Sequence, residues 1–105
     1  MKRTESDLVR ASLMYLKSKN VMAWRNNTGA WKVGKHYIRF GSPGSGDIFA
    51  VLPKGRFLSI EAKLPGKKPT PEQVEWQKQV IKSGGFAWLI YSICDLEGLI
   101  NAAIS

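Results

Sequence analysis

Residues 41–63 read GSPGSGDIFAVLPKGRFLSIEAK, and the architecture of the chain is organised around them. Gly41, Pro43, Gly44 and Gly46 exclude regular structure over residues 41–46. Two apolar runs follow, residues 47–52 and 57–63, and Pro53-Lys54-Gly55-Arg56 joins them as a hairpin by its turn chemistry. Strand alternation puts Asp47, Phe49 and Val51 on one face of the first strand. On the second, Leu58, Ile60 and Ala62 point one way while Phe57, Ser59, Glu61 and Lys63 point the other. An antiparallel hairpin closed at Lys54-Gly55 therefore brings Asp47 and Glu61 to the same end of the sheet, with Lys63 on the Glu61 face.

Two carboxylates so close repel each other, so one must hold a proton or a cation must bind. A hard divalent ion such as Mg²⁺ or Mn²⁺ suits them, because it takes oxygen ligands, keeps several waters and bridges to a phosphate oxygen. The Lys63 ammonium in the same pocket suits a developing negative charge or an attacking water. Taken alone, Glu61-Ala62-Lys63 is equally an ordinary solvated strand face, and Asp47 a turn cap. It is the order of Gly-rich loop, Asp-headed strand, hairpin, Glu-X-Lys and capped helix that carries the chemistry.

Working outward, Thr4-Glu5-Ser6-Asp7 has the form of a helix start with Thr4 at the N-cap. Val9, Leu13 and Leu16 recur at helical spacing, and Asn20 ends the element. Glu5, four residues before Val9, falls on the inward face, an odd place for a carboxylate. Residues 21–25 read as a short strand before the turn-prone Asn26-Asn27-Thr28-Gly29, and residues 31–33 and 37–40 as a ragged hairpin around Gly34 or a loop. Residues 64–69 form a basic loop. Thr70-Pro71-Glu72-Gln73 opens a helix to about Ser83, stopped by Gly84-Gly85. Residues 86–93 are apolar on both faces, as in a central strand covered on both sides, and Asp95 or Ser92 caps a last helix through Ile104. The result is an α/β domain of helices on one small sheet, a single unit over residues 1–105.

The chain has 105 residues, with Lys+Arg 16 against Asp+Glu 8, a net charge of +8. No acid lies between Asp7 and Asp47, a stretch that holds Arg10, Lys17, Lys19, Arg25, Lys32, Lys35 and Arg39 among Trp24, Trp31, Tyr37 and Phe40. Cations with interleaved rings suit a polyanion with stackable bases; the alternative is a basic surface that keeps the protein soluble. Cys94 is the lone cysteine, which excludes an internal disulfide and a thiolate zinc cluster. No apolar run is long enough to span a bilayer, and no hydrophobic signal segment follows Met1-Lys2-Arg3. The expectation is an intracellular, cytoplasmic protein (host cytoplasm if viral) that does not engage a membrane.

Ser45-Gly46-Asp47 with Ile60-Glu61-Ala62-Lys63 resembles the PD-(D/E)XK nuclease core, and within it the VRR-NUC branch of virus-type replication-repair nucleases. The branch's pattern is similar to Glu5, Trp24-Arg25-Asn26, Gly44-Ser45-Gly46-Asp47, Glu61-Ala62-Lys63 and Thr70-Pro71-Glu72-Gln73 here. The resemblance runs from Glu5 to about Asp95 and implies a stand-alone nuclease domain. Its implied fold is a restriction-endonuclease-like core of order αβββαβ with a C-terminal helix, a central mixed sheet flanked by helices. Gly46 stands where the branch commonly has Pro, which permits the same tight approach but fixes it less.

The resemblance also implies roles. Asp47, Glu61 and the Ala62 backbone carbonyl would ligate the metal, and Lys63 would activate water or stabilise charge on the phosphate. Glu5 would reach the metal or its waters. Gln73 would steady the Lys63 region or the substrate, although a capping box alone also explains a Gln there. The implied activity is a Mg²⁺- or Mn²⁺-dependent endonuclease that leaves 5′-phosphate and 3′-hydroxyl ends on structured DNA (flaps or Holliday junctions) in replication, recombination or repair. A homodimer would let so small a domain cover a branched substrate. Two other functions compete: a non-catalytic nucleic-acid-binding module with the same fold, and an RNA-directed nuclease.

Among the remaining residues, Arg25, Asn26 and Lys32 are substrate-contact candidates beside a strand end, as are Lys35 and Arg39, while Lys67 and Lys68 extend from the loop after Lys63. Gln77, one turn beyond Gln73, is a weaker candidate for the same inward face. His36 has no second His or Cys to join it, so zinc is a poor fit. Cys94 reads as a small core residue at the end of a buried strand, and Trp76 and Trp88 as core packing.

Overall fold

Thr4 opens the first helix through a reciprocal capping box: its hydroxyl accepts from the Asp7 N–H, and the Asp7 carboxylate accepts from the Thr4 N–H, both at 3.0 Å. The computed structural model describes residues 4–27 and 29–104, with the backbone alone at 29–31 and 38–40. Helix α1 spans Glu5–Ser18. It stops where Asn20 turns left-handed (φ 60) and the Val21 N–H reaches back to the Leu16 carbonyl at 3.0 Å, a conformation that asparagine tolerates better than most residues. Expectations for Met1-Lys2-Arg3 and for Thr28 fall outside the described residues, as do those for the side chains of Trp31, Arg39 and Phe40.

Strands β1 (Met22–Arg25), β2 (Gly29–Val33), β3 (His36–Phe40), β4 (Ile48–Leu52) and β5 (Arg56–Ala62) follow, then α2 (Pro71–Lys82), β6 (Phe86–Ile90) and α3 (Ile93–Ile104). The main sheet has the order β1-β4-β5-β6. Its first two pairings are antiparallel and β5–β6 is parallel, with α2 as the crossover that a parallel pair requires. Strands β2 and β3 form a separate hairpin with Val33 opposite His36. The mixed sheet with flanking helices is the architecture expected from the sequence. Among the described residues no helix is long and apolar enough to cross a membrane.

One face of the sheet is the core. Ile48, Ala50, Leu52, Leu58, Ile60, Ala62 and Ile90 pack against Val9 and Leu16 of α1 and Leu96 and Ile100 of α3, each large side chain contributing about 1.5–3 kcal/mol. The opposite face carries Phe49, Phe57, Ser59 and Glu61 under α2. There Trp76 stacks on Phe49 (centroids 5.7 Å apart, planes at 17°) and its indole N–H donates to Ser59 Oγ at 2.9 Å. An aromatic ring with a satisfied polar tip is a stable roof for the sheet.

Two expectations fail at the C-terminal end. Strand β6 ends at Ile90, not at residue 93, and it is an edge strand of which only Ile90 is buried. The apolar run continues into the first turn of α3, where Ser92 Oγ accepts from the Asp95 N–H at 3.2 Å and the Asp95 carboxylate accepts from the Tyr91 N–H at 2.9 Å. Apolar periodicity over so few residues does not separate a strand from a helix start. Cys94 therefore sits on α3, exposed, and is not a core residue.

The loop of residues 41–47 is wedged between α2 and β5. A Cβ on Gly44 (φ 76) would lie 2.4 Å from the Glu72 carbonyl oxygen, and one on Gly46 would lie 2.4 Å from Ser59 Oγ and 2.8 Å from the Ile60 carbonyl oxygen. Gly46 is thus required by contact: any side chain, proline's ring included, would collide. Gly66 (φ 89) has open space around it. Gly66→Ala should cost about 1 kcal/mol from backbone conformation alone, whereas Gly44→Ala and Gly46→Ala should each cost about 2 kcal/mol or more. Urea unfolding midpoints at constant slope check this ranking.

Candidate active site

The regular ladder between β4 and β5 ends at Ile48 opposite Ile60. One residue earlier the pairing flares: the Asp47 N–H donates to the Ile60 carbonyl at 2.8 Å, and the Asp47 carbonyl accepts from the Asn26 N–H at 2.8 Å. The Asp47 carboxylate Oδ2 then accepts from the Ala62 N–H at 2.8 Å, where a neighbouring strand would ordinarily offer a carbonyl. A side chain substitutes for ladder backbone, and the Asp47 carboxylate is thereby held at the end of β5.

Glu61 lies on the same face as Phe49 and Ser59 and is only 5% exposed. Its Oε1 accepts from Gln73 Nε2 at 2.9 Å, while its Oε2 is buried with no hydrogen-bond partner among the described residues. Burial, then the neighbouring Asp47 charge, raise the Glu61 pKa from the ordinary 4.5 to about 8, against the opposing pull of Lys63. Burial also raises Asp47, opposed by the Ala62 N–H and reinforced by the charge of Glu5. An acid pair of this kind at neutral pH holds a proton or invites a cation.

Gln73 caps its helix, as the capping box alone requires, and also contacts one acid of the pair. Its Oε1 accepts from the Thr70 N–H at 2.8 Å and its N–H donates to Thr70 Oγ1 at 3.2 Å, completing the capping box; its Nε2 holds Glu61. Among the described residues the partner of Nε2 is Glu61, two residues before Lys63. Gln77, one turn on, has a buried Nε2 without a hydrogen-bond partner among the described residues.

Glu5 reaches the segment that follows Lys63. Its Oε2 accepts from the Leu64 N–H at 3.3 Å and pairs with Lys67 Nζ at 3.8 Å, so it braces the segment after Lys63, and its charge still reaches Asp47 and Glu61. Among the described residues no three His, Cys, Asp or Glu side chains gather closely enough to hold an ion. The side-chain oxygen donors here are the two carboxylates, and the buried Glu61 oxygen without a hydrogen-bond partner among the described residues fits a hard cation.

Asn26 also clips the glycine loop. Its Nδ2 donates to Ser45 Oγ at 2.8 Å and to the Gly46 carbonyl at 2.9 Å, which engages both amide hydrogens. Arg25, Asn26 and Asn27 line, with Val9 and Asp47, a cleft of about 200 Å³ beside the acid pair. Sequence reasoning missed Asn27 there, since adjacent asparagines in a turn carry no signal that both line the cleft. Lys32 and Lys35 are exposed on the β2–β3 hairpin, away from the main sheet, and Lys68 is exposed. His36 is likewise exposed on the hairpin.

No protein-family model matches the chain. A protein of Acyrthosiphon pisum secondary endosymbiont phage 1 described as "Putative nuclease p44" is 36% identical over 56 residues, 50% of this chain and 60% of that protein. The match thus spans less than two thirds of that relative's length. A solved structure described as "VRR_NUC domain" superposes with a TM-score of 0.67 at 18% identity, covering 94% of this chain and 97% of its own. The flared hairpin, the buried acid pair and the helix that caps it therefore sit on a known framework: this chain has the fold of a VRR_NUC domain.

Proposed function

We propose that this domain is a divalent-metal-dependent nuclease that hydrolyses phosphodiester bonds in DNA, with structured DNA (flaps or four-way junctions) as its substrate. The observation that carries the reading is the buried Glu61 carboxyl, one oxygen clamped by Gln73 and the other unpartnered, facing a second acid at the end of a strand. The fold it shares with a VRR_NUC domain and the similarity to a phage protein described as a nuclease both support it. So does a net charge of +8 with an acid-free stretch between Asp7 and Asp47, which suits a polyanionic substrate.

Asp47, Glu61 and the Ala62 carbonyl are the residues that would hold Mg²⁺ or Mn²⁺. Such an ion supplies Lewis-acid polarisation of the phosphate and acidifies water. The chain's own groups do the rest. Gln73 fixes the Glu61 rotamer, so that Oε2 stays turned to the pocket. Lys63, directly after β5, brings an ammonium to the same pocket and offsets charge on the phosphate oxygens. Glu5 braces the Leu64 N–H and so limits movement of the segment that carries Lys63. Arg25, in the cleft beside Asp47, is placed to neutralise a neighbouring phosphate. Pairing of two copies would give a domain of this size the reach that a branched substrate needs.

Glu61→Gln keeps the shape and the Gln73 contact but removes the charge, so it should abolish Mg²⁺-dependent cleavage while DNA binding stays measurable. Cleavage by that variant at the wild-type rate, in a gel assay across linear, flap and junction DNA, would overturn the assignment. Gln73→Ala should weaken metal affinity by about 10–100-fold, read by calorimetry. The sign of the pH effect follows from Glu61. The metal-free folded state keeps a proton that the unfolded chain loses near 4.5. The stability this contributes is complete below that pH and is lost as pH rises through about 8. Metal-free wild type should therefore lose stability relative to Glu61→Gln across that window, by thermal melting. Metal binding at neutral pH should release a proton, seen as a buffer-dependent enthalpy.

A further inference from the structure

Between β1 and the loop of residues 41–47 the chain forms a two-stranded ribbon outside the main sheet. Strands β2 and β3 pair only with each other, and every residue from 32 to 37 is exposed, Val33 at 51% and Tyr37 at 69%. The tip is the two-residue turn Gly34-Lys35 with Gly34 at φ 62, the glycine-first turn of a tight hairpin. Residues 29–40 contain Lys32, Lys35, His36 and Arg39 and no acid. Lys32 Nζ lies 6.0 Å from the ring centroid of Tyr37, its direct cross-strand neighbour, so cation and ring present one continuous surface. An isolated hairpin is marginal in water, and an exposed valine and tyrosine at its end gain nothing from solvent.

Both roots of this ribbon lie at the candidate active site. The chain enters it from Arg25, Asn26 and Asn27 at the cleft beside Asp47, and leaves it into the glycine loop that Asn26 clips and Asp47 ends. Whatever the ribbon grips is therefore held in register with Asp47. We propose that the β2–β3 ribbon is a DNA arm that lies in the major groove of B-form duplex beside the phosphate held at Asp47 and Glu61, which makes duplex DNA, and not duplex RNA, the substrate of that site.

This rests on the nuclease reading above and adds to it the element that grips the duplex and the groove it enters. A B-form major groove about 12 Å wide admits a two-stranded ribbon, whereas the A-form groove of RNA is too deep and narrow for one. Five residues at about 3.3 Å each extend about 17 Å, or about five base pairs at about 3.4 Å per pair. Lys32 and Tyr37, paired across the ribbon and therefore on one face of it, meet phosphates or guanine edges and the apolar thymine methyls respectively, and Lys35 at the tip meets a phosphate.

The test uses the full chain as wild type, as Lys32→Ala/Lys35→Ala, and as Lys32→Arg/Lys35→Arg. Fluorescence anisotropy with chelator present measures binding to DNA and RNA duplexes of the same sequence, about two helical turns long, across a salt series. The alanine pair should weaken DNA-duplex binding about tenfold and lower the slope of log K against log salt by about two. The loss on RNA duplex should be clearly smaller, and the arginine pair should restore both values on DNA. An unchanged salt slope, or an equal loss on DNA and RNA, overturns the arm. Wild-type hydrolysis of bis(p-nitrophenyl) phosphate with Mn²⁺ reports on the nuclease reading separately. No hydrolysis with the salt-slope change intact removes the nuclease and supports the arm, while hydrolysis with an unchanged slope removes the arm alone.

Discussion

A carboxyl group taken out of water beside another carboxyl is stable only if something else in the fold compensates it, and Glu61 sits under that constraint. Its burial depends on the register of β4 against β5, which puts it on the face of Phe49 and Ser59 and not on the core face. Its remaining polar needs are met unequally, with Gln73 on one oxygen and no partner among the described residues for the other. A group so placed stays protonated or takes a cation, and the neighbouring ladder is arranged to keep it so placed.

The flare at Asp47 is the second part of that arrangement. Where β4 would continue, its backbone turns to Asn26 and its carboxylate takes over the Ala62 N–H. The glycines at 44 and 46 let the preceding loop press against α2 and β5 closely enough for this. Loop, strand end and helix start are thus mutually constrained, and Gln73 connects them because one side chain both caps α2 and holds Glu61. Local helix stability and the geometry of the acid pair share a residue, so neither can be altered independently at that position.

Much of this was legible in the order of residues. Alternation over 57–63 separated Glu61 from Ile60 and Ala62, and turn chemistry at Lys54-Gly55 set which strand ends would meet. Lys54 (φ 70) and Gly55 (φ 75) do adopt the left-handed turn that such a hairpin needs. The helix starts at Thr4 and Thr70 were readable because each N-cap lies three residues before the group it bonds, while the reciprocal bond from Asp7 that completes the box at Thr4 was seen only in the structure. The end of β6 was not readable, since Ile93 and Cys94 continue an apolar run whose change from strand to helix depends on Ser92 and Asp95 finding backbone partners. Nor was the exposure of Cys94, which follows from that change.

What the amino-acid order determined by itself is therefore what short-range sterics and hydrogen bonding control: helix starts and stops, the hairpin, the side of the strand on which each acid emerges, and the basic, acid-free stretch before Asp47. Tertiary structure decided the partners of side chains whose donors and acceptors lie far along the chain. That Asn26 clips Ser45 and Gly46, and that Glu5 braces Leu64 and Lys67, could not be read from the sequence. A polar group takes whichever complementary atom the assembled fold brings within about 3 Å, and that proximity exists only once the elements have packed.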